Sequence, residues 1–133
     1  MIIVLAGSSA VARVAIGESV VKADERARHL SLEKLMEAAA TQNIDLSDHP
    51  ELLAQLACHC AAELATENLH TVLSIPDHPE LLTALRQELG DTCRIVHLAG
   101  EQEGPPIRAD LTLNTSRNSI QDSVEQIRAL IPA

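Results

Sequence analysis

The residues best placed to do chemistry follow the first apolar run of the chain: Gly7-Ser8-Ser9-Ala10-Val11-Ala12-Arg13-Val14. A phosphate loop of the form G-x-x-x-x-G-K-[ST], set between a strand and a helix, works through three devices. Glycines let backbone amides wrap the phosphates, a lysine reaches the β and γ phosphates, and a hydroxyl holds magnesium. Gly7 keeps the first position, while Ala12 stands at the second glycine, Arg13 at the lysine and Val14 at the hydroxyl. An alanine forced into a left-handed conformation costs about 1–2 kcal/mol, so Ala12 opposes the wrapped backbone. Arg13 keeps the charge on a longer, forked side chain that does not substitute for lysine. Val14 supplies no oxygen for a metal. The pattern predicts that magnesium-nucleotide chemistry is lost. The amides of Gly7, Ser8, Ser9 and Ala10 at a helix start, with Arg13 nearby, still suit phosphate or sulfate without magnesium.

Other reactive residue types are less well arranged. Cys58-His59-Cys60 has the composition of a metal site, but residues two apart on a helix point in nearly opposite directions, so no metal is expected there. Cys60 shares a stripe with Leu64 and reads as a core thiol. Ser8 and Ser9 have no adjacent base and no G-x-S-x-G elbow, so no catalytic residue is assigned. Asp24 is open to two readings, a base in a cleft at the strand ends or the cap of a turn. The segment DHPELL occurs at 48–53 and again at 77–82. Each copy reads as a helix start, with Asp48 or Asp77 as the capping residue and a glutamate three positions on.

These residues need a scaffold, and the apolar pattern describes one. Ile2 to Ala6 reads as a strand buried on both faces. Ala10 to Glu18 reads as a short helix closed near Gly17, and Val20-Val21 as a weak second strand. Further helices are expected from Ser31 to Asn43, from Asp48, from Asp77 to Gly90, and after Ser119. Strands are expected at Thr71 to Ile75, Arg94 to Ala99 and Leu111 to Leu113. In the last helix Ile120, Val124, Ile127 and Ile131 hold a helical spacing, and Ser119 with Asp122 forms its capping box. Strands alternating with helices imply parallel pairing through right-handed crossovers. The expected fold is therefore α/β, a three-layer sandwich of about five parallel strands in one domain over residues 1–133.

Composition narrows the partners. The chain has no Phe, Tyr or Trp, so nucleobases have no aromatic stacking platform. Ten basic against nineteen acidic residues give a net charge of −9, which opposes nucleic acid and anionic membrane surfaces. Three cysteines and an N-terminus with no basic flank lead to the expectation of free thiols and a cytoplasmic location.

With the loop in that context, the chain resembles the small P-loop kinases, in particular the adenylyl-sulfate kinase and cytidylate kinase-like proteins. The loop looks like G-S-S-G-S-G-K-S with three key letters changed. Ala23-Asp24-Glu25-Arg26-Ala27-Arg28 is similar to the acidic-then-arginine segment with which that family binds its acceptor substrate, which implies Asp24 and Arg28 as acceptor-pocket candidates. Ala109 to Ile127 resembles the family's last strand, D-T-S turn and helix, with Asn114 where aspartate is usual. The family's lid would fall in the interval 100–110, which here is short, acidic towards its start through Glu101 and Glu103, and carries one arginine, Arg108. The resemblance implies a P-loop kinase-like fold without a lid, silent as a phosphotransferase, binding a protein partner or a small anionic ligand. No cofactor is expected beyond ATP, phosphate or sulfate held without magnesium. The alternatives are an active small-molecule kinase using Arg13 and Asp24, and a structural module that assembles with itself or another chain.

Overall fold

The computed structural model describes residues 1–46, 48–76, 78–99 and 109–131. The chain runs β1 (Ile2–Ala6), α1 (Ala10–Ala23), β2 (Ala27–Ser31), α2 (Leu32–Thr41), α3 (Pro50–Thr66), β3 (His70–Ile75), α4 (Pro79–Leu89), β4 (Cys93–Ala99), β5 (Leu111–Asn114) and α5 (Ile120–Arg128). The five strands form one sheet in the order β2-β3-β1-β4-β5, and every pairing is parallel. The expected parallel sheet is therefore present.

Side-chain alternation along β1 shows why the sheet needs a layer on each face. Val4 and Ala6 pack with Leu53 and Ala57 of α3 and Leu81 and Leu85 of α4. Ile3 and Leu5 turn the other way, to Ile16 and Val20 of α1 and Val124 and Ile127 of α5. Ile3, Val4, Leu5 and Ala6 are all fully buried. A central parallel strand covered on both sides must be apolar throughout, and this one is.

Several local expectations are corrected. Val20-Val21 is not a strand; α1 continues through Gly17 for 14 residues, because Ile16 and Val20 lie one turn apart on its buried stripe. Gly17 does not stop the helix. It lets α1 approach β2, since a Cβ there would stand 2.8 Å from Nε2 of His29. The second strand is Ala27–Ser31, an edge strand too polar to stand out by composition.

The caps of the duplicated segments also differ. With Pro50 and Pro79 in the first helical turn, the capping position falls on the residue before each proline, which is histidine. His78 caps α4 through Nδ1, which accepts the Leu81 amide at 3.1 Å. His49 stands at the cap of α3 and makes no side-chain capping bond, and Asp48 is exposed one position too early. Asp77 lies outside the described residues. On α3 the buried residues are Leu53, Ala54, Ala57 and Ala61, so Cys58 packs against the core and Cys60 is only half-buried. The capping box of α5 is present as expected, with Asp122 N donating to Ser119 Oγ and Ser119 N to Asp122 Oδ2. Ile120, however, lies 49% exposed rather than on the buried stripe.

Candidate functional site

Chain direction reverses about β1: the chain moves from β1 outward to β2, returns to β3, then crosses to β4 on the other side. In an open parallel sheet the crevice at the carboxyl ends of strands beside such a switch point is where ligands bind. Gly7, Ser8 and Ser9 leave β1 at that edge, and Gly7 is pressed against β4.

Only these three residues separate β1 from α1. The helix begins at Ala10, inside the span of the eight-residue motif, so Val11, Ala12, Arg13 and Val14 are helical rather than part of a wrapped loop. Ser9 is its N-cap: Oγ accepts the Ala12 amide at 3.2 Å, and the Ser9 carbonyl accepts the Arg13 amide at 3.1 Å. A capped helix leaves a few amides at its start without intrahelical partners, and here those of Ala10 and Val11 remain. The donor set is that of an ordinary helix N-terminus with its positive dipole end.

Arg13 leaves that start inwards. Its side chain is 3% exposed and lies on the α1 face of the sheet. Nη1 pairs with Oε1 of Glu33 in the first turn of α2 and reaches Oγ of Ser74 near the end of β3 at 3.4 Å. Nε is buried with no hydrogen-bond partner. A buried cation is tolerated when paired, and Glu33 supplies the pairing. Sequence pattern did not single out Glu33, because its only signal is an acidic residue in the first turn of a helix, which usually just complements the dipole.

Val14 is half-buried on α1. Asp24 and Arg28 lie at the opposite edge of the sheet from Gly7. Asp24 caps the C-terminus of α1 and its Oδ1 accepts the Arg26 amide, while Arg28 Nη1 donates to the Glu25 and Ala27 carbonyls. A five-residue strand at about 3.3 Å per residue separates the two edges by roughly 16 Å. The structure does not bring these two residues to the loop. The interval holding Glu101, Glu103 and Arg108 lies outside the described residues.

A shallow cavity of about 300 Å³ opens between the first turns of α1 and the β5–α5 turn. Its walls are Val11, Ala12, Ala15 and Ile120 with the polar groups of Ser9, Thr115 and Asn118. The turn is held from within: Asn114 Oδ1 accepts from the amide and hydroxyl of Ser116, and the Thr115 hydroxyl donates to the Ala99 carbonyl at 3.2 Å. Val11 is 81% exposed at the rim. Among the described residues no group of three or more His, Cys, Asp or Glu is placed to hold a metal ion, and no helix is long and apolar enough to cross a membrane.

No family model matches the chain, and no curated protein does. Solved structures do. The chain superposes on an APS kinase of Mycobacterium tuberculosis with a TM-score of 0.71 at 18% identity, covering 97% of this chain and 94% of that one. A gluconokinase from Sinorhizobium meliloti gives 0.62 at 14% identity over 96% and 91%. The shikimate kinase of Aquifex aeolicus gives 0.61 at 10% identity over 98% and 95%. The protein has a P-loop kinase-like fold, five parallel strands between two layers of helices.

Proposed function

We propose that this kinase-like fold serves as a binding module: it takes a small oxyanion at the first turn of α1, without magnesium, and transfers no phosphoryl group. The observation that carries the reading is the early start of α1. Because Ser9 caps the helix before the motif is complete, the Ala12 amide is turned to Ser9, and the Arg13 side chain descends to Glu33. Phosphoryl transfer depends on positive charge and a metal gathered around the transferring group. Here the cation is neutralised by a carboxylate and the metal-binding hydroxyl is replaced by Val14. What remains, the amides of Ala10 and Val11 at the start of the helix that carries the buried Arg13, suits an anion at rest.

Incubation with ATP and magnesium, followed by assay for ADP, tests the silent half of this reading. The expected result is no product above the buffer blank. A thermal-stability screen of phosphate, sulfate and nucleotides tests the binding half: an anion at 100 times its dissociation constant adds about 2.7 kcal/mol. No shift with any anion contradicts it. The superposition on kinases favours a second reading, an ATP-dependent small-molecule kinase with an atypical loop; magnesium-dependent ADP formation that rises on addition of a small hydroxylated acceptor, with the phosphoryl group recovered on that acceptor, would favour that one instead. A protein partner is the other form of binding, with the exposed Val11 and Ile120 as its contact.

A further inference from the structure

Arg13 is more deeply buried than its partner: its side chain is 3% exposed and that of Glu33 is 41% exposed. Its five N–H groups are poorly supplied. One end meets Glu33, the contact to Ser74 Oγ is long at 3.4 Å, and Nε is enclosed with no acceptor. A guanidinium in a low-dielectric site takes its strongest bonds from a carboxylate or a phosphate, two oxygens at a time. Glu33, on α2 and 20 residues along the chain, meets the guanidinium through Oε1 at Nη1, on a side chain that is itself partly exposed to solvent.

We propose that Glu33 is an internal counter-ion that latches the site: it holds Arg13 in the absence of ligand and must swing outward before an external oxyanion can reach the guanidinium. This rests on the anion-binding reading above and adds its control element. Glu33 is able to leave because its exposed position lets water solvate the freed carboxylate, whereas Arg13 is enclosed and has to be paired by something. The buried Nε supplies the additional donor that a tetrahedral oxyanion takes and Glu33 does not. While the latch is closed, apparent affinity falls by the fraction of molecules in which Arg13 is engaged. Removing the latch therefore raises oxyanion affinity without adding a single contact to the ligand.

The test is a titration of the full chain with inorganic phosphate against chloride at matched ionic strength, read by calorimetry and by thermal unfolding. The proteins compared are the natural one, Glu33→Gln, Glu33→Asp and the double variant Arg13→Met with Glu33→Gln. The expected result is phosphate affinity at least tenfold higher in Glu33→Gln, a smaller gain in Glu33→Asp, whose carboxylate falls one methylene short, and loss of the gain in the double variant. Phosphate should also recover much of the thermal stability that Glu33→Gln loses. If Glu33→Gln does not fold, Glu33→Asp decides the matter. Phosphate binding of equal strength in the natural protein and the Glu33 variants overturns the latch and leaves the anion site standing. A gain that persists without Arg13 also overturns the latch. No phosphate binding in any of the proteins overturns the anion site and the latch together.

Discussion

Gly7 packs so closely on Leu98 that a Cβ at position 7 would stand 2.8 Å from the Leu98 carbonyl oxygen and 3.2 Å from its Cβ. The first residue after β1 therefore holds two central strands together where the chain turns into α1. Gly7→Ala is expected to destabilise by about 1–3 kcal/mol, the cost of forcing atoms into a filled site, because the obstacle is backbone. Gly17→Ala meets only the end of the His29 ring and gains helix propensity of about 1 kcal/mol in return. Urea unfolding of both variants checks the ranking, and a larger loss at Gly17 than at Gly7 would contradict it.

The two copies of the duplicated segment are expected to respond differently to the same change. His78→Ala removes a capping bond and should cost about 1 kcal/mol. His49→Ala removes none, and Asp48→Ala alters an exposed residue outside the helix, so both should stay within about 0.5 kcal/mol of the natural protein. Equal losses at His49 and His78 would show that both histidines cap.

Stability should fall as the solution is acidified from about pH 6.5, the ordinary histidine value. Burial lowers the pKa of His29, opposed by Glu18 and helped by Lys34. Burial also lowers that of His70, helped by the N-terminus and Arg26 and opposed by Asp24. A lowered histidine pKa means that the unfolded chain binds more protons than the folded one in this range, so stability rises with pH. The contribution is fully present above the unfolded value and is lost as pH falls through the lower folded values. Unfolding free energies between pH 5 and 8 measure it, and His70→Gln should flatten part of the slope. A slope of the opposite sign would mean that these rings gain a proton partner on folding.

Much of the scaffold was legible because it is written in apolar runs. Ile2–Ala6, His70–Ile75 and the Ser119–Asp122 box each carry a local signal, and the parallel sheet follows from alternation. β2 was missed because an edge strand with two apolar residues looks like a turn, and Val20-Val21 looks like a strand until α1 is known to pass through Gly17. The caps were misplaced by one residue because the proline position, rather than the acid, fixes where each helix begins. At the site, Ala12, Arg13 and Val14 were legible as departures from a motif whose first glycine, Gly7, is kept. The early helix start and the partner of Arg13 were not, since Ser9 as a cap and Glu33 as a counter-ion become visible only when three elements meet.

Breaking the Arg13–Glu33 pair from either side should have unequal effects. Glu33→Gln leaves a buried cation short of its counter-charge and is expected to cost about 2 kcal/mol, less than the 3–5 kcal/mol typical of fully buried pairs because Glu33 is 41% exposed. Arg13→Met combined with Glu33→Gln removes the charge together with its need and should recover most of that loss. A double variant less stable than Glu33→Gln alone would show that Arg13 is held by packing rather than by charge.

On the proposed reading this fold does not assemble a magnesium-nucleotide site, and calorimetry measures that property itself. Titrating ATP into the natural protein with magnesium, and again with the metal chelated, isolates the contribution a loop hydroxyl would make. The expected result is weak binding, the same within error in both titrations, because Val14 offers no ligand and α1 begins before the loop can wrap. Tight binding that disappears when magnesium is removed would show instead that the loop holds a magnesium nucleotide.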